Sequence, residues 1–228
     1  MKLIFSHKQK EAGDALSFFF RYPKPLLWKA GQYFICTLPH PNPDNRGIKR
    51  YFTIASAPFE EEIMLTTRIN LPIASTFKKA LYNLAQGESV EVEGPKGSFV
   101  VEDPTKEQVF IAGGIGITPY RAILLDVDHR KLPTGGTLLY ANTTAEFVYQ
   151  KELESLQKKH QSFQIHYLVE PTRITSESIQ KFVPSLSRSI FYISGPPPMV
   201  DAVEQMVSQL HIPSARIKED YFPGYDWP

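Results

Sequence analysis

Four short stretches carry residue types suited to handling phosphates and planar rings. Arg50 opens "RYFTIASAP" at 50–58. A guanidinium heading a β-branched, aromatic run is a fork of donors that matches a diphosphate. Strand alternation puts Phe52 on the same face, so a ring lying on Phe52 would bring its phosphates to Arg50. A solvated strand arginine beside a core phenylalanine is the competing reading. The second stretch, "AGGIGITP" at 112–119, directly follows the apolar strand "VFIA". Gly113, Gly114 and Gly116 would let backbone approach a ligand at the positive end of the next helix, with Thr118 as its cap and Pro119 in its first turn. A tight strand-to-helix turn of any α/β domain would use the same residues. No Walker lysine is present, which argues against a nucleotide triphosphatase, and the third glycine of the dinucleotide fingerprint is missing. The third stretch, "YISGPPPM" at 192–199, sets Gly195 before Pro196, Pro197 and Pro198, either a rigid side-chain-poor wall for a ligand or simply a stiff loop. The fourth is the helix start at Ala74, Ser75 and Thr76. Its N–H groups and hydroxyls would suit a second phosphate, and ordinary N-capping by Ser75 is the alternative.

Two kinds of element must position these residues. Up to about residue 104 the pattern is short and strand-like: "MKLIFSH", "ALSFFFRY", "QYFICTL", "KRYFTIAS", "EIMLTTRI" and "SVEVEG" lie between turn signals. With one helical interruption, "STFKKALYNL", they predict a small antiparallel β-barrel, closed or nearly so. After the charged, proline-bearing linker "DPTKEQ" the strands "VFIAG", "TLLYAN", "FQIHYLV" and "SIFYIS" alternate with helical stretches. That alternation predicts an α/β domain with a parallel sheet covered on both faces. The expected division is residues 1–104 and 105–228. Ligands of such sheets bind beyond the carboxyl ends of the strands, where both glycine turns would lie.

Composition narrows the chemistry. Lys plus Arg number 25 against 24 Asp plus Glu, a net charge of +1, so there is no basic field for nucleic acid. The longest apolar run of the N-terminal third, "ALSFFF", is followed by Arg21, and neither a signal peptide nor a membrane span is expected. One cysteine, Cys36, leaves no internal disulfide or four-cysteine cluster, and six scattered histidines form no HExxH pair. A cytoplasmic, metal-free protein is expected, its hard chemistry carried by an organic cofactor.

Taken together the stretches resemble the ferredoxin–NADP reductase superfamily of flavoenzymes. Arg50, Tyr51, Phe52 and Thr53 match its flavin motif R-x-[Y/F]-[S/T], and "AGQY", "TTRI", "ASTFKKAL" and "GESVEVEGPKGSF" follow in family order. "GGIGITP", with Gly113, Gly114, Gly116, Ile117 and Thr118, and "GPPPM", with Gly195, Pro196 and Met199, are similar to its two nicotinamide signatures. "DYFPGY", with Phe222 and Tyr225, resembles its aromatic tail. The resemblance implies bound FAD, with NADH or NADPH as hydride donor. It implies that Arg50, Ala74, Ser75 and Thr76 hold the flavin diphosphate, that Phe52 packs on the isoalloxazine, and that Thr67 and Arg68 line it. Thr53 would reach the flavin N5 edge. Ser194 would stand beside the nicotinamide, where many relatives have cysteine, and Phe222 and Tyr225 would cover the flavin or its adenine.

The implied activity is hydride transfer from NAD(P)H to bound FAD, with electrons passed to an acceptor, protein or small molecule, that the sequence does not identify. A reductase using free flavin as substrate and a non-catalytic regulatory subunit of the same fold are the alternatives. Retention of FAD on dialysis separates the first, and bleaching of the flavin by NADH the second. Selectivity for NADPH in this family usually comes from basic or hydroxyl residues just after the second nicotinamide-domain strand, and many relatives that favour NADPH have an arginine there, which this chain lacks. Here Asn142, Thr143 and Thr144 occupy that place, so NADH is expected to be modestly preferred.

Overall fold

Six strands form the first half: β1 (Lys2–Lys10), β2 (Ala15–Arg21), β3 (Tyr33–Thr37), β4 (Lys49–Thr53), β5 (Ile63–Arg68) and β6 (Ser89–Lys96). The computed structural model describes residues 1–23 and 25–221. All pairings are antiparallel, in the order β4-β3-β6-β1-β2-β5. Alternate residues point inward, so Leu3, Phe18, Phe20, Phe34, Phe52, Leu65 and Val92 fill the interior of a curled sheet. The edge strands β4 and β5 meet just past the end of β4, where the Ala55 N–H donates to the Met64 carbonyl at 2.8 Å. Helix α1 (Thr76–Tyr82) buries Phe77 and Leu81 in the same interior. Ser75 caps it as expected, accepting from the Lys78 N–H at 3.3 Å.

The second half is a five-stranded parallel sheet of β7 (Gln108–Gly113), β8 (Gly136–Asn142), β9 (Phe163–Val169), β10 (Ile190–Gly195) and β11 (Ile217–Tyr221). Helices α2 (Thr118–His129) and α3 (Gln150–Lys159) pack with Phe110, Leu138, Tyr140 and Tyr192 on one face. On the other, α4 (Ser176–Phe182) and α5 (Pro197–Gln209) pack with Val109, Ile111, Leu139, Phe191 and Ile193. Neighbouring residues of one strand enter opposite cores, which is why these strands read as unbroken apolar runs. The order β11-β10-β7-β8-β9 reverses direction between β7 and β10, and sheets of this kind bind ligands beyond the carboxyl ends at such a switch point. β11 is absent from the sequence expectation. Its "IKEDY" is charged at an edge position and lacks the apolar run that marks the other four.

The halves share buried contacts. Phe99, from the connecting segment, sits in one cluster with Tyr120 and Tyr192 and also with Ala15, Ala30, Ala55 and Met64 of the first half. Arg121 of α2 donates to the Ala55 carbonyl at 2.8 Å and forms ion pairs with Glu60 at 2.9 Å and Glu152 at 2.7 Å. Burial works against its charge, but the hydrogen bond to Glu60 and the two carboxylates outweigh that and raise its pKa. His129 stacks on Phe59 with 3.9 Å between ring centroids. The ends of β4 and β5 are thereby fixed against the carboxyl ends of the parallel sheet.

Candidate functional site

Three hydroxyl and carboxyl side chains converge where the sheets meet. Thr53 ends β4 and is buried. Ser194, near the end of β10, pairs in register with Asp220 of the neighbouring strand β11. The Ser194 hydroxyl donates to Asp220 Oδ2 at 3.5 Å, and the Thr53 side chain also hydrogen-bonds the carboxylate. Burial pushes the Asp220 carboxyl up to about 7 despite both bonds. Thr53 and Ser194 are expected site residues that the fold brings together. Asp220 is one that sequence reasoning missed, because an acid beside Lys218 and Glu219 in "IKEDY" reads as part of a solvated charge run.

The two glycine turns pack against each other, which changes the reason for their glycines. A Cβ on Gly116 would collide with the Ser194 carbonyl oxygen, and one on Gly113 with the Met199 sulfur. Gly195 likewise faces Gly113 and Met199. The close approach expected toward a ligand is, at Gly113 and Gly116, an approach between β7, β10 and α5. Gly114 differs. Its φ is +52°, and an added Cβ would meet only Arg68 and Asn142 at ordinary contact distance. Thr118 is not the helix cap, since a 3-10 turn over Gly114–Ile117 intervenes and puts the buried Ile117 at that position. Thr118 lies in the first turn and donates to the Ile115 carbonyl at 3.2 Å. Pro119 stands in the first turn as expected, and Pro196 immediately precedes α5.

Arg50 and Phe52 share the inward face of β4, as strand alternation predicts, while Tyr51 points outward and is 56% exposed. Phe52 packs on Phe77, their ring centroids 5.9 Å apart, and the Arg50 guanidinium lies 5.2 Å from the same ring. The donors of Arg50 are engaged locally. Nη1 donates to the carbonyls of Arg46, Gly47 and Lys49, and Nη2 to Asp44 at 3.2 Å. Asp44 Oδ2 accepts from the Thr76 N–H at 3.0 Å, and Asp44 Oδ1 from the Arg46 N–H at 3.0 Å. The expected free N–H at Thr76 is thus taken by a carboxylate of the loop before β4. Burial alone would raise the Asp44 carboxyl, but the bonds from Thr76 and Arg46 and the charge of Arg50 hold it below the usual range. Ala74 is partly buried on the barrel core, and Thr67 is buried in β5. Arg68, at the end of β5, donates to Asp14 at 3.1 Å and to Asn142, the last residue of β8, at 2.8 Å. Phe222 and Tyr225 lie outside the described residues.

Residues 110–205 match the oxidoreductase NAD-binding domain family. The F component of the Na(+)-translocating NADH-quinone reductase of Pseudoalteromonas atlantica is 29% identical over 200 residues, covering 77% of this chain and 49% of that protein. NADH-cytochrome b5 reductase 1 of Pyricularia oryzae is 28% identical over 195 residues, covering 78% of this chain and 62% of the relative. This chain therefore spans about half to two-thirds of the curated relatives it matches. In structure it superposes on the cytochrome b5 reductase domain of Ulva prolifera nitrate reductase with a TM-score of 0.83 at 24% identity, covering 96% of both chains. It superposes on ferredoxin-NADP+ reductase of Plasmodium falciparum with a TM-score of 0.80 at 17% identity, covering 97% of this chain and 95% of that one. In fold the chain is ferredoxin–NADP reductase-like.

In this ferredoxin–NADP reductase-like fold the nicotinamide side fits a dinucleotide. At the β7/β10 switch point lie the Gly114 turn, where an added Cβ would meet nothing closer than ordinary contact distance, and the proline-stiffened start of α5. The flavin side fits in part. Thr53 stands at the meeting edge, but two of the residues expected to hold a diphosphate, Arg50 and Thr76, have Asp44 as their anion. Among the described residues no group of three His, Cys, Asp or Glu could hold a metal ion, and no helix is long and apolar enough to cross a membrane.

Proposed function

We propose that this chain is an NAD(P)H-dependent flavin oxidoreductase, with residues 1–104 holding FAD and 105–228 holding the nicotinamide. The observation that carries the reading is the convergence of Thr53, Ser194 and Asp220 at the edge where the two sheets face each other. When bound, the flavin supplies the means to take two electrons as a hydride and to release them singly. The protein orients and shields. The switch-point crevice aligns the nicotinamide, and the buried Thr53 and Ser194 keep water from the reacting edge. Asp220 holds a proton at its carboxyl and exchanges it near neutral pH through the Ser194 and Thr53 hydroxyls. Two relatives are named for a quinone and for cytochrome b5, and on that ground we assign electron delivery to a separate acceptor. The cytoplasm is the compartment in this reading.

The test is anaerobic mixing of FAD-reconstituted protein with NADH, following the flavin's visible absorbance. Rapid bleaching is expected, and its absence would end the proposal. A second reading, a reductase that takes free flavin as substrate, is favoured by the Asp44–Arg50 pair, which weakens the case for a tightly held diphosphate. Loss of flavin on dialysis with retained NADH-dependent reduction of added flavin would select it.

A further inference from the structure

Arg50 is a positive group built for an anion, and the structure already supplies one. The residue is 8% exposed and its guanidinium lies on Phe77, in a place where an unpaired charge would be costly. The loop at 38–48 returns Asp44 to it. One carboxylate oxygen takes Arg50 Nη2 and the Arg46 N–H, and the other takes the Thr76 N–H. The contact is reciprocal, because the Asp44 N–H donates to Thr76 Oγ1 at 3.0 Å, and that hydroxyl also hydrogen-bonds His40 Nε2 at 2.9 Å. Nη1 is turned to three loop carbonyls, while Nε is buried and has no hydrogen-bond partner. The guanidinium is thus drawn toward the loop with one donor left unused, a geometry set by Asp44 and the loop carbonyls. A diphosphate brought to the same donors meets the carboxylate head-on and must displace it.

We propose that Asp44 is a tethered carboxylate occupying the anion position of the flavin site, and that it sets which flavins the chain holds by their phosphate charge. FAD carries a diphosphate and must evict Asp44. Riboflavin carries no phosphate and leaves the Asp44–Arg50 pair intact. This inference rests on the flavin reading above and adds a selectivity to it: the site discounts the FAD tail, so the flavin is exchangeable.

The experiment measures dissociation constants for FAD and riboflavin, by quenching of flavin fluorescence, in the wild type and in Asp44→Asn. Asparagine keeps the size and cannot carry the charge. The wild type is expected to bind FAD no more than roughly tenfold tighter than riboflavin, and Asp44→Asn to tighten FAD by about tenfold or more while riboflavin stays within about twofold. Asp44→Ser, which retains a short hydroxyl facing Thr76, is the second variant and should shift the ratio in the same direction. An unchanged ratio in a folded variant, or equal weakening of both flavins, would make Asp44 a mere loop staple and overturn the proposal. So would a wild type that binds FAD a hundredfold tighter than riboflavin, a measurement that needs no variant to fold. Binding of neither flavin by any form would overturn the flavin reading itself, an outcome distinct from an unchanged ratio.

Discussion

Asp220 shows how one residue can be plain in the structure and hidden in the chain. Thr53 and Ser194 are legible because each sits in a motif with local grammar, an arginine-led strand and a glycine–proline turn. Asp220 acquires its role only from the register of β11 beside β10, which local sequence does not encode. Its pKa is raised on folding, so between the ordinary carboxyl value and about 7 the native state binds more protons than the unfolded chain. Stability contributed by the group is present below the unfolded pKa and is lost as pH rises through 7, each tenfold gain in proton affinity on folding being worth ~1.4 kcal/mol. Asp220→Asn, which cannot ionise, should therefore melt above the wild type at pH 8, with the gap narrowing toward pH 5. Thermal unfolding at the two pH values checks this, and a gap that widens toward acid would contradict it. Arg50 misleads in the other direction. Strand alternation gives its face correctly, but nothing in "PHPNPDNRG" announces that Asp44 returns to meet it.

At the scale of elements, strands and helices are legible where periodicity is strong. All six antiparallel strands, four of the five parallel ones and the five helices lie where apolar spacing puts them. At Gly113 and Gly116 the structure adds a packing reason for glycine that the sequence does not show, because a tight turn in sequence looks the same whether it faces a ligand or another turn. The structure separates the two cases, and so does a pair of substitutions. Gly116→Ala drives a methyl into the Ser194 backbone oxygen, which has no room to yield, and should cost about 1–3 kcal/mol or more. Gly114→Ala has space for its methyl and bears chiefly the left-handed backbone, at about 1–2 kcal/mol. Urea denaturation should rank Gly116→Ala below Gly114→Ala. Gly116→Ala should also raise the KM for NADH by displacing the crevice wall, and a reversed ranking would refute the packing explanation.

For the whole molecule, the proposed coenzyme preference turns on what both halves bring to the end of β8. Thr143 and Thr144 are exposed there and Asn142 is buried. The barrel sends Arg68 to Asn142, a guanidinium that the local sequence of the nicotinamide half could not reveal, yet Asp14 already neutralises it. Arg173, a basic residue that follows β9, pairs with Glu170 at 3.5 Å. One missing charge-assisted contact is worth about 1.5–3 kcal/mol, or roughly ten- to a hundredfold in discrimination. NADH should accordingly give the higher kcat/KM with NADPH still usable, and Thr143→Arg should move the ratio toward NADPH. A clear NADPH preference in the unmodified protein would refute this. The wedge of Phe99 between the halves reaches further than the site. The barrel core and the core under α4 and α5 each belong to one half, but a third apolar cluster takes residues from both, and separating the halves would lay it open. The protein should melt in one cooperative step, and a half expressed by itself would expose a raw hydrophobic wound and aggregate.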